Sequence, residues 1–347
     1  MIETNPILGI LFFILGGLTG PLFPIPLKWV RGWSYETYWM IYAAAGMLMV
    51  PVTLLVLTNP GSFRVFATVP RTVVVRCGAF GVMWGFGGLA WGLMIRYLGI
   101  GLGLAIGCGI CASLGTVLPP VFSGHASDLI STSGARIALC GVAGAVLGIV
   151  LVGMAGRLKE HEQSDEQKRM SVAEFAFKKG LWIAIFAGVM SAGQNLGLQG
   201  GADLQQAAVD MGADTRWSGV PVQVLVLGGG FLVNAVWCLM TGLRRKSLGE
   251  YIRPTTRQMP ILNFALSVLA GVIWVGSSTF MKFGEPLMGE MKFISFAVVM
   301  SSAVLFASVF GVCFGEWRGT SPRARMLLAG GISILVLSFA VISAGRG

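Results

Sequence analysis

The sequence predicts an all-α integral membrane protein, with ten transmembrane helices arranged as two inverted five-helix repeats. Three observations lead to this fold class. The 347 residues are 55% hydrophobic and only 12% charged, with a mean hydropathy of +0.77, which is too little polar surface for a water-soluble fold. Apolar runs long enough to cross a bilayer recur along the whole chain. Finally, the stretch GVMWGFGG at 81–88 has a partial echo, GVIWVGSS, at 271–278.

Ten apolar segments have the length that a membrane requires. A hydrocarbon layer about 30 Å thick needs about 20 residues of a helix that rises about 1.5 Å per residue. The segments show none of the alternating polarity that is typical of transmembrane β-strands. The predicted spans are residues 6–27, 37–57, 72–95, 99–123, 134–156, 179–202, 217–243, 259–281, 291–315 and 325–345.

Lys and Arg residues are distributed unevenly between the two sides of the membrane. The odd-numbered connections between predicted spans hold 17 of the 25 Lys and Arg residues, and the even-numbered connections together with both termini hold 8. Because cytoplasmic loops are enriched in Lys and Arg, we expect the odd connections in the cytoplasm and both termini outside. The net charge of +10 is then a topology signal for a protein whose partner is the lipid bilayer, and it calls for no nucleic acid.

A charged linker divides the ten predicted spans into five and five. Residues 157–178 mix both charge signs and separate a first unit, 1–156, from a second unit, 179–347. Because five crossings reverse the direction in which the chain enters the membrane, two such units are inverted with respect to each other. Inverted repeats give a transporter two interchangeable conformations around a binding site near the bilayer midplane.

The repeated sequence of Gly, Val, an aliphatic residue and Trp supports this division. Trp84 lies in the third predicted span of the first unit, and Trp274 lies in the third predicted span of the second unit. Two Gly follow the first Trp at the positions where two Ser follow the second. We therefore expect a ligand pocket between the units that is polar mainly on the side of the second unit.

Other classes of function lack their sequence signals. The GxxxxGK[ST] motif of nucleotide-binding loops is absent, so we expect no nucleotide partner. Cys108 and Cys111 lie in an apolar span far from either His, which favours membrane packing over a redox or metal site. The sequence shows no nucleophile–base constellation, and we predict a secondary transporter rather than an enzyme. No basic residue precedes the first apolar run, so we expect no removable signal peptide.

Two long stretches carry a family resemblance. PLFPIPLKWVRGWSYETYW at 21–39 and FGVMWGFGGLAWGLMIRYLGIGLGLAIG at 80–107 resemble the L-rhamnose/proton symporter family of the drug/metabolite transporter superfamily. Supporting segments follow in order along nearly the whole chain: SGHASDLISTSGAR, MSAGQNLGL, LGGGFLVNAVWC and GEW. The resemblance implies a ten-helix transporter of the bacterial inner membrane that brings in L-rhamnose, a small neutral sugar, with a proton as the coupling ion and with no cofactor.

The resemblance is incomplete just after the Trp of the third span. The family pattern leads us to expect Asn residues there, whereas this chain has Gly87, Gly88 and Ala90, with Trp91 where Tyr is usual. Fewer amide groups leave open which 6-deoxyhexose is carried. A second interpretation is an exporter of metabolites or cationic drugs with the same ten-helix fold, which would favour aromatic side chains and a carboxylate over sugar-binding amides.

A sugar site needs hydrogen-bonding groups for hydroxyls and a flat apolar surface for the C–H face of the ring. Polar side chains deep in a span are expected to face the protein interior, because exposure to lipid is costly. Trp84 and Trp91 are seven residues apart and are predicted to share a helix face. The candidate substrate-binding residues are Trp84, Trp91, Gln194, Asn195, Gln223, Trp274, Ser277 and Ser278, and Asn234 and Asn263 also lie deep in spans. For all of them, packing between helices is the alternative.

Proton coupling needs an ionisable group whose protonation favours one orientation of the carrier. Glu36 is the first candidate because it lies in the family-like segment WSYETYW, with Lys28 and Arg31 as expected cationic neighbours. The alternative for Glu36 is a charge at a helix N-terminus, which the helix dipole favours. Glu285 in the segment FGEP is the second candidate. Lys28 and Arg96 are interpreted as gating partners or as topology determinants.

Overall fold

The structure is a computed structural model that describes residues 5–122, 124, 126–162, 177–252, 260–313 and 317–344. Within these ranges the chain is helical and contains no β-strand. Most of the predicted linker, residues 163–176, lies outside the described residues. The main helices are α1 (Pro6–Leu22), α2 (Tyr35–Ala43), α3 (Val50–Thr58), α4 (Arg71–Phe122), α5 (Ser133–Glu162), α6 (Phe177–Gln199), α7 (Val220–Arg245), α8 (Pro260–Gly284), α9 (Ser295–Cys313) and α10 (Pro322–Ala344).

The helices have the length and surface of membrane spans. In the described ranges, nine helical segments are long and apolar enough to cross a membrane, and Ile106–Phe122 is a shorter apolar helix. Many of their exposed side chains are large and apolar, for example Leu57, Trp182 and Val336, which suits contact with lipid tails. The prediction of a helical, multi-pass membrane protein is confirmed at this level.

The third and fourth predicted spans form one helical run, α4, without the break that the sequence predicts near residues 96–98. The run is not straight. A Cβ added at Gly107 would lie 2.9 Å from Sδ of Met94 and 3.0 Å from the Trp91 ring, although a straight helix would separate these residues by roughly 20 Å or more. Helix α4 therefore doubles back between Met94 and Gly107, and both of its arms pack on α6.

The helices of the two predicted units interleave. Helix α1 packs against α8 and α9, and α6 packs against both arms of α4. Helix α7 packs against α4 and α2, and α8 also packs on α2. Helices α5 and α10 lie against each other. Each of these contacts joins a helix of the first unit to a helix of the second unit, so neither unit is packed by itself.

Glycine allows the helix backbones to approach closely at two of these crossings. Where α4 crosses α7, a Cβ added at Gly81 would lie 2.1 Å from the carbonyl oxygen of Val226. Where the second span crosses α8, a Cβ added at Gly46 would lie 2.7 Å from the carbonyl oxygen of Gly271. Small residues at helix contacts are typical of membrane proteins, because lipid offers no hydrophobic drive for helices to associate. The Gly of each repeated sequence, Gly81 and Gly271, therefore lies at a helix crossing.

The second span contains a turn that is wider than an α-helical turn. Between α2 and α3, residues Ala44–Met49 form a π-helical turn, and Pro51 follows in the first turn of α3. Gly46, which contacts Gly271, lies inside this turn. A π-helical turn holds extra residues and is often found at functional sites. The turn therefore offsets the faces of α2 and α3 at the point where the span meets α8.

Gly229→Ala is expected to destabilise the folded protein, because the new methyl group would overlap the backbone of α4 at Gly78 and Val82. Overpacking of this kind costs about 1–3 kcal/mol. The matched control is Gly228→Ala on the same helix, where an added Cβ meets nothing within 4 Å, so this change should be neutral or slightly stabilising. Thermal unfolding in detergent, followed by circular dichroism, measures both. Equal midpoints for the two variants would contradict the close crossing.

Candidate functional site

The two Trp residues of the repeated sequence meet where α4, α7 and α8 come together. The indole rings of Trp84 and Trp274 stack, with 5.5 Å between centroids and 15° between planes. Gly230 of α7 leaves room for this stack, because a Cβ at that position would lie 2.1 Å from the Trp84 ring. Two residues of equal rank in the two units are therefore in direct contact.

Aromatic rings extend from the Trp stack toward the start of α2. Tyr42 meets Trp274 edge-on at 6.0 Å, and Trp39 lies 4.6 Å from Tyr42. Tyr35 in turn stacks on Trp39 at 5.0 Å. Nε1 of Trp39 donates a hydrogen bond to Oδ1 of Asn234, 3.0 Å away. These residues form an aromatic wall with one amide, which extends from the buried Tyr42 to the exposed Tyr35.

Gln223 on α7 is fully buried, and neither polar atom of its amide has a hydrogen-bond partner in the described part of the chain. One turn before it, Gly219 contacts the side chain of Lys282. One turn after it, Leu227 packs in the apolar cluster that contains the Trp stack. Leaving a buried amide unpaired costs about 1–3 kcal/mol. Gln223 therefore lies between the Trp stack and Lys282, with hydrogen-bonding capacity for a ligand.

A buried ion pair lies at the end of α8. Nζ of Lys282 is 2.6 Å from Oε2 of Glu285, and Lys282 also donates to the carbonyl oxygen of Leu198. Nε2 of Gln199 and Oγ of Ser295 donate to Oε1 of Glu285, at 2.6 and 3.2 Å. We call Lys282, Glu285, Gln199 and Ser295 the Lys282 cluster. Buried charges are tolerated when they are paired and hydrogen-bonded, and this cluster meets that condition within the second unit.

Glu36 belongs to a second buried cluster, although it lies in the first turn of α2. Its carboxylate is only 2% exposed. Oγ of Ser247 donates to Oε1 at 2.9 Å, and Nη1 of Arg245 donates to Oε2 at 3.4 Å. We call these three residues, together with Ser34 and Glu250, the Glu36 cluster. It joins the start of α2 in the first unit to the end of α7 in the second.

Further hydrogen bonds join the same two chain segments. The backbone N–H and Oγ of Ser34 donate to Oε2 of Glu250, at 2.7 and 2.9 Å. Asn263, near the start of α8, exchanges two hydrogen bonds with the backbone of Arg31. The hydroxyl of Tyr251 donates to the backbone of α2, and burial raises the pKa of Tyr251 to about 12, so this donor keeps its proton. Polar contacts between the units therefore close this end of α8, opposite the Lys282 cluster.

Two predicted substrate residues make their polar contacts with other helices. Nε1 of Trp91 donates to Oγ of Ser191 on α6, 2.8 Å away, so Trp91 does not extend the surface formed by Trp84. Nδ2 of Asn195 donates to the carbonyl oxygen of Gly115 on the second arm of α4, and its Oδ1 has no partner among the described residues. Both contacts join helices, which is the alternative that the sequence leaves open.

The two Ser that follow Trp274 are engaged by the helices around them. Oγ of Ser278 donates to the carbonyl oxygen of Val275 within α8, and the carbonyl of Ser277 lies against Gly16 of α1. A Cβ added at Gly88, beside the other Trp, would meet nothing within 4 Å. The exposed Gly88 therefore faces open space, and in the second unit both polar atoms of the Gln223 amide are unpaired among the described residues.

The remaining predicted residues give less information about a site. Gln194 is half-buried on α6, and Lys28 is exposed just after the short helix Pro24–Leu27. The side chain of Arg96 lies outside the described part of the structure. Among the described residues the cation that contacts Glu36 is Arg245, so the expectation of Lys28 and Arg31 in this role is wrong. The reason is that α7 ends beside α2 and brings its own basic residues there.

Sequence reasoning missed the residues that complete both clusters. Lys282 lies three residues before Glu285, a spacing that places both side chains on one face of a helix, and this was the signal that could have identified the pair. Arg245 and Ser247 lie more than 200 residues from Glu36, and no local pattern connects them. In the described part of the chain, no group of three or more His, Cys, Asp or Glu residues could hold a metal ion.

The profile of one protein family covers almost the entire chain. The family of the L-rhamnose-proton symport protein (RhaT) matches residues 2–347. The chain belongs to this family. Membership makes the protein a transporter rather than an enzyme.

Several relatives are similar over nearly their whole length. The L-rhamnose-proton symporter of Citrobacter koseri is 30% identical over 340 residues, which cover 97% of each chain. The proteins of the same name from Escherichia coli and Cronobacter sakazakii are 29% and 30% identical over the same share. The similarity therefore extends over both units and the segment between them.

Proposed function

We propose that the protein carries L-rhamnose or a related 6-deoxyhexose into a bacterial cell together with a proton, by alternating access. The relatives in the same family are named L-rhamnose-proton symporters. The observation that carries the proposal is the buried, unpaired amide of Gln223, which lies one turn from residues that pack on two stacked indole rings. A flat apolar face next to a free amide suits the C–H face and the hydroxyls of a neutral sugar. The proton is the only coupling species that this function needs.

The helix packing supports ten crossings in two inverted five-helix repeats. Counting the fold-back of α4 as a turn gives five crossings before the linker and five after it. The first helix of each unit then packs on the third and fourth crossings of the other unit: α1 on α8 and α9, and α6 on the two arms of α4. The second crossings behave in the same way, since α2 packs on α8 and α7 packs on α4. Two inverted repeats related by symmetry are expected to exchange roles in this way. On this basis we assign the protein to the drug/metabolite transporter superfamily.

The sugar site in this proposal lies between the Trp stack and Gln223. Gly81 and Gly271 each lie three residues before their Trp and at a crossing with the second span of the other unit, so the stack lies where the axis between the units would pass. Transporters with inverted repeats bind substrate near such an axis. Trp84 and Trp274 would contact the sugar ring, and Gln223 would bind its hydroxyls. Trp91 and Asn195 would then hold the surrounding helices.

Glu36 is the coupling group in this proposal. Protonation removes the negative charge of its carboxylate and with it the charge-assisted hydrogen bond from Arg245. The contact between the units at this end then weakens, and opening at this end is favoured. Loss of the proton restores the closed contact. Glu285 is the second candidate, but its ion pair with Lys282 lies within one unit and does not join the two.

The proposed orientation of the protein in the membrane follows from the distribution of its Lys and Arg residues. The connections at the Glu36 cluster belong to the side that is rich in Lys and Arg, which supports a cytoplasmic location for this cluster, an outer location for the Lys282 cluster and both termini outside. The membrane in question is the bacterial inner membrane. One charge moving inward is worth about 2.3 kcal/mol per 100 mV, and each pH unit adds roughly 1.4 kcal/mol. A single proton can therefore sustain a sugar gradient of the order of a hundredfold.

Purified protein in proteoliposomes is expected to accumulate labelled L-rhamnose when the proton gradient is directed inward, and a protonophore should abolish the accumulation. Competition by other 6-deoxyhexoses gives the relative affinities of these sugars for the transporter. The aromatic wall would also suit an exporter of cationic drugs, which would instead show proton-driven movement of an organic cation and no competition by sugars. Folded protein without uptake, and without competition by any deoxysugar, contradicts the proposal.

Gln223→Leu is expected to change stability and affinity in opposite directions. It removes an unpaired buried amide, which should stabilise the sugar-free protein by about 1–3 kcal/mol. It also removes the hydrogen bonds to the sugar, which should raise the Kd for L-rhamnose about tenfold. Thermal unfolding and calorimetric titration in detergent measure the two effects. An unchanged Kd for Gln223→Leu would remove this residue from the site.

Glu36→Gln is expected to abolish accumulation driven by the pH gradient while counterflow exchange of L-rhamnose continues. The variant mimics the protonated carboxyl group and cannot release a proton to reset the carrier. Asp214→Asn is the control, since Asp214 pairs with Arg216 at the exposed surface, where such pairs contribute little. Both activities are measured in the same proteoliposomes. Accumulation at the wild-type level would exclude Glu36 from the coupling mechanism.

A further inference from the structure

A separate polar pocket lies beside the Lys282 cluster, at the far end of α8 from Glu36. Its volume is about 240 Å³. The end of α6, the short helix Ala202–Asp210 and the connection to α7 supply most of its walls. The polar residues that line it are Gln199, Gln205, Gln206, Thr215, Ser218, Glu285 and Lys292. We propose that this pocket is an outer subsite that binds the neutral sugar before it reaches the Trp stack.

The lining supplies the groups that an uncharged, polyhydroxylated ligand needs. Amides provide both donors and acceptors, and hydroxyls provide either. Val209 and Pro286 add a small apolar area, and the lining residues include no aromatic ring. The negative charge of Glu285 is compensated by Lys282, and Lys292 adds a positive charge to the lining, so the pocket does not select cations. The Lys292 ammonium group can also donate hydrogen bonds to sugar hydroxyls. Binding without an aromatic platform is expected to be weaker than at the Trp stack, which suits a first docking position.

Glu285 gives the pocket its strongest hydrogen-bond acceptor. Its side chain is 7% exposed, and three side chains donate to it: Lys282, Gln199 and Ser295. A carboxylate has about four acceptor positions. Among the described contacts Oε1 accepts two of these hydrogen bonds and Oε2 accepts one, so one position on Oε2 is left for a sugar hydroxyl. Gln206 contributes less freely, because its Nε2 already donates to Asp210.

A series of contacts connects the pocket to the proposed transport site. From Glu285, the ion pair leads to Lys282, whose side chain lies against Gly219, the residue just before α7. Gln223 lies one turn further along α7, and Leu227 follows after another turn, where it packs with the Trp stack. In this proposal the sugar moves from the pocket to Gln223 past the Lys282–Glu285 pair, so one buried ion pair separates the two binding positions.

This proposal rests on the proposed function, because it assigns a first docking position to the same sugar. Cysteine accessibility tests it in the full-length transporter with its six native Cys replaced. Thr215→Cys reports on the pocket, and Ala67→Cys is the control, exposed in the short helix Val65–Thr68 that packs beside Ala202–Asp210. A membrane-impermeant methanethiosulfonate is added to right-side-out and inside-out vesicles, with L-rhamnose or with mannitol. We expect L-rhamnose to slow modification of Thr215→Cys several-fold in right-side-out vesicles and to leave Ala67→Cys unchanged.

The same measurement in a Gln223→Leu background separates the two binding positions. Protection that arises in the outer subsite persists there at the same L-rhamnose concentration. Protection that is lost together with binding at the Trp stack comes from a conformational change and overturns the proposal, as do equal modification rates with L-rhamnose and mannitol. Uptake into proteoliposomes is measured in parallel. Uptake without protection rejects the subsite alone, whereas native protein without uptake rejects the proposed function.

Discussion

The close approach of helix backbones at glycine is the constraint on which the other contacts depend. Lipid gives helices no hydrophobic reason to associate, so they are held by tight packing and by hydrogen bonds between polar groups. At two crossings between the units, a Cβ at Gly81 or at Gly46 would overlap the opposing backbone. These crossings set the separations of the helices around Trp84 and Trp274, whose rings then lie within stacking distance. Polar clusters form at the helix ends only because the helices already converge.

The two buried carboxylates are held in ways that suit different tasks. Glu36 is bound by Arg245, whose side chain is 67% exposed, so the cation can exchange its partner for water when the carboxylate loses its charge. Glu285 is bound by Lys282, which is 4% exposed, and neither partner can be released without leaving a buried charge behind. The first arrangement joins the two units. The second lies within one unit and borders a pocket.

Local physical signals explain why much of this fold is predictable from the sequence. Hydrophobic length defined the spans, and counting them gave Trp84 and Trp274 the same rank, which the stacking of their rings agrees with. Side-chain direction was harder to predict. Trp91 shares a helix face with Trp84 by spacing alone, yet it bonds to α6, because α4 is surrounded by helices on several sides and turns back beyond Trp91. The ion-pair partner of Glu36 could not be predicted from the sequence, because Arg245 comes from the other unit.

The stack of Trp84 on Trp274 has a consequence for how this chain can change over time. The two rings stack on each other, and the Trp84 ring also lies close to Gly230. A smaller side chain at one Trp leaves a gap that only a larger one opposite could fill, and a side chain at Gly230 would displace the ring altogether. The three positions lie on three helices and in both halves of the chain. Substitutions at one of them are therefore expected to be accompanied, in evolution, by substitutions at the other two.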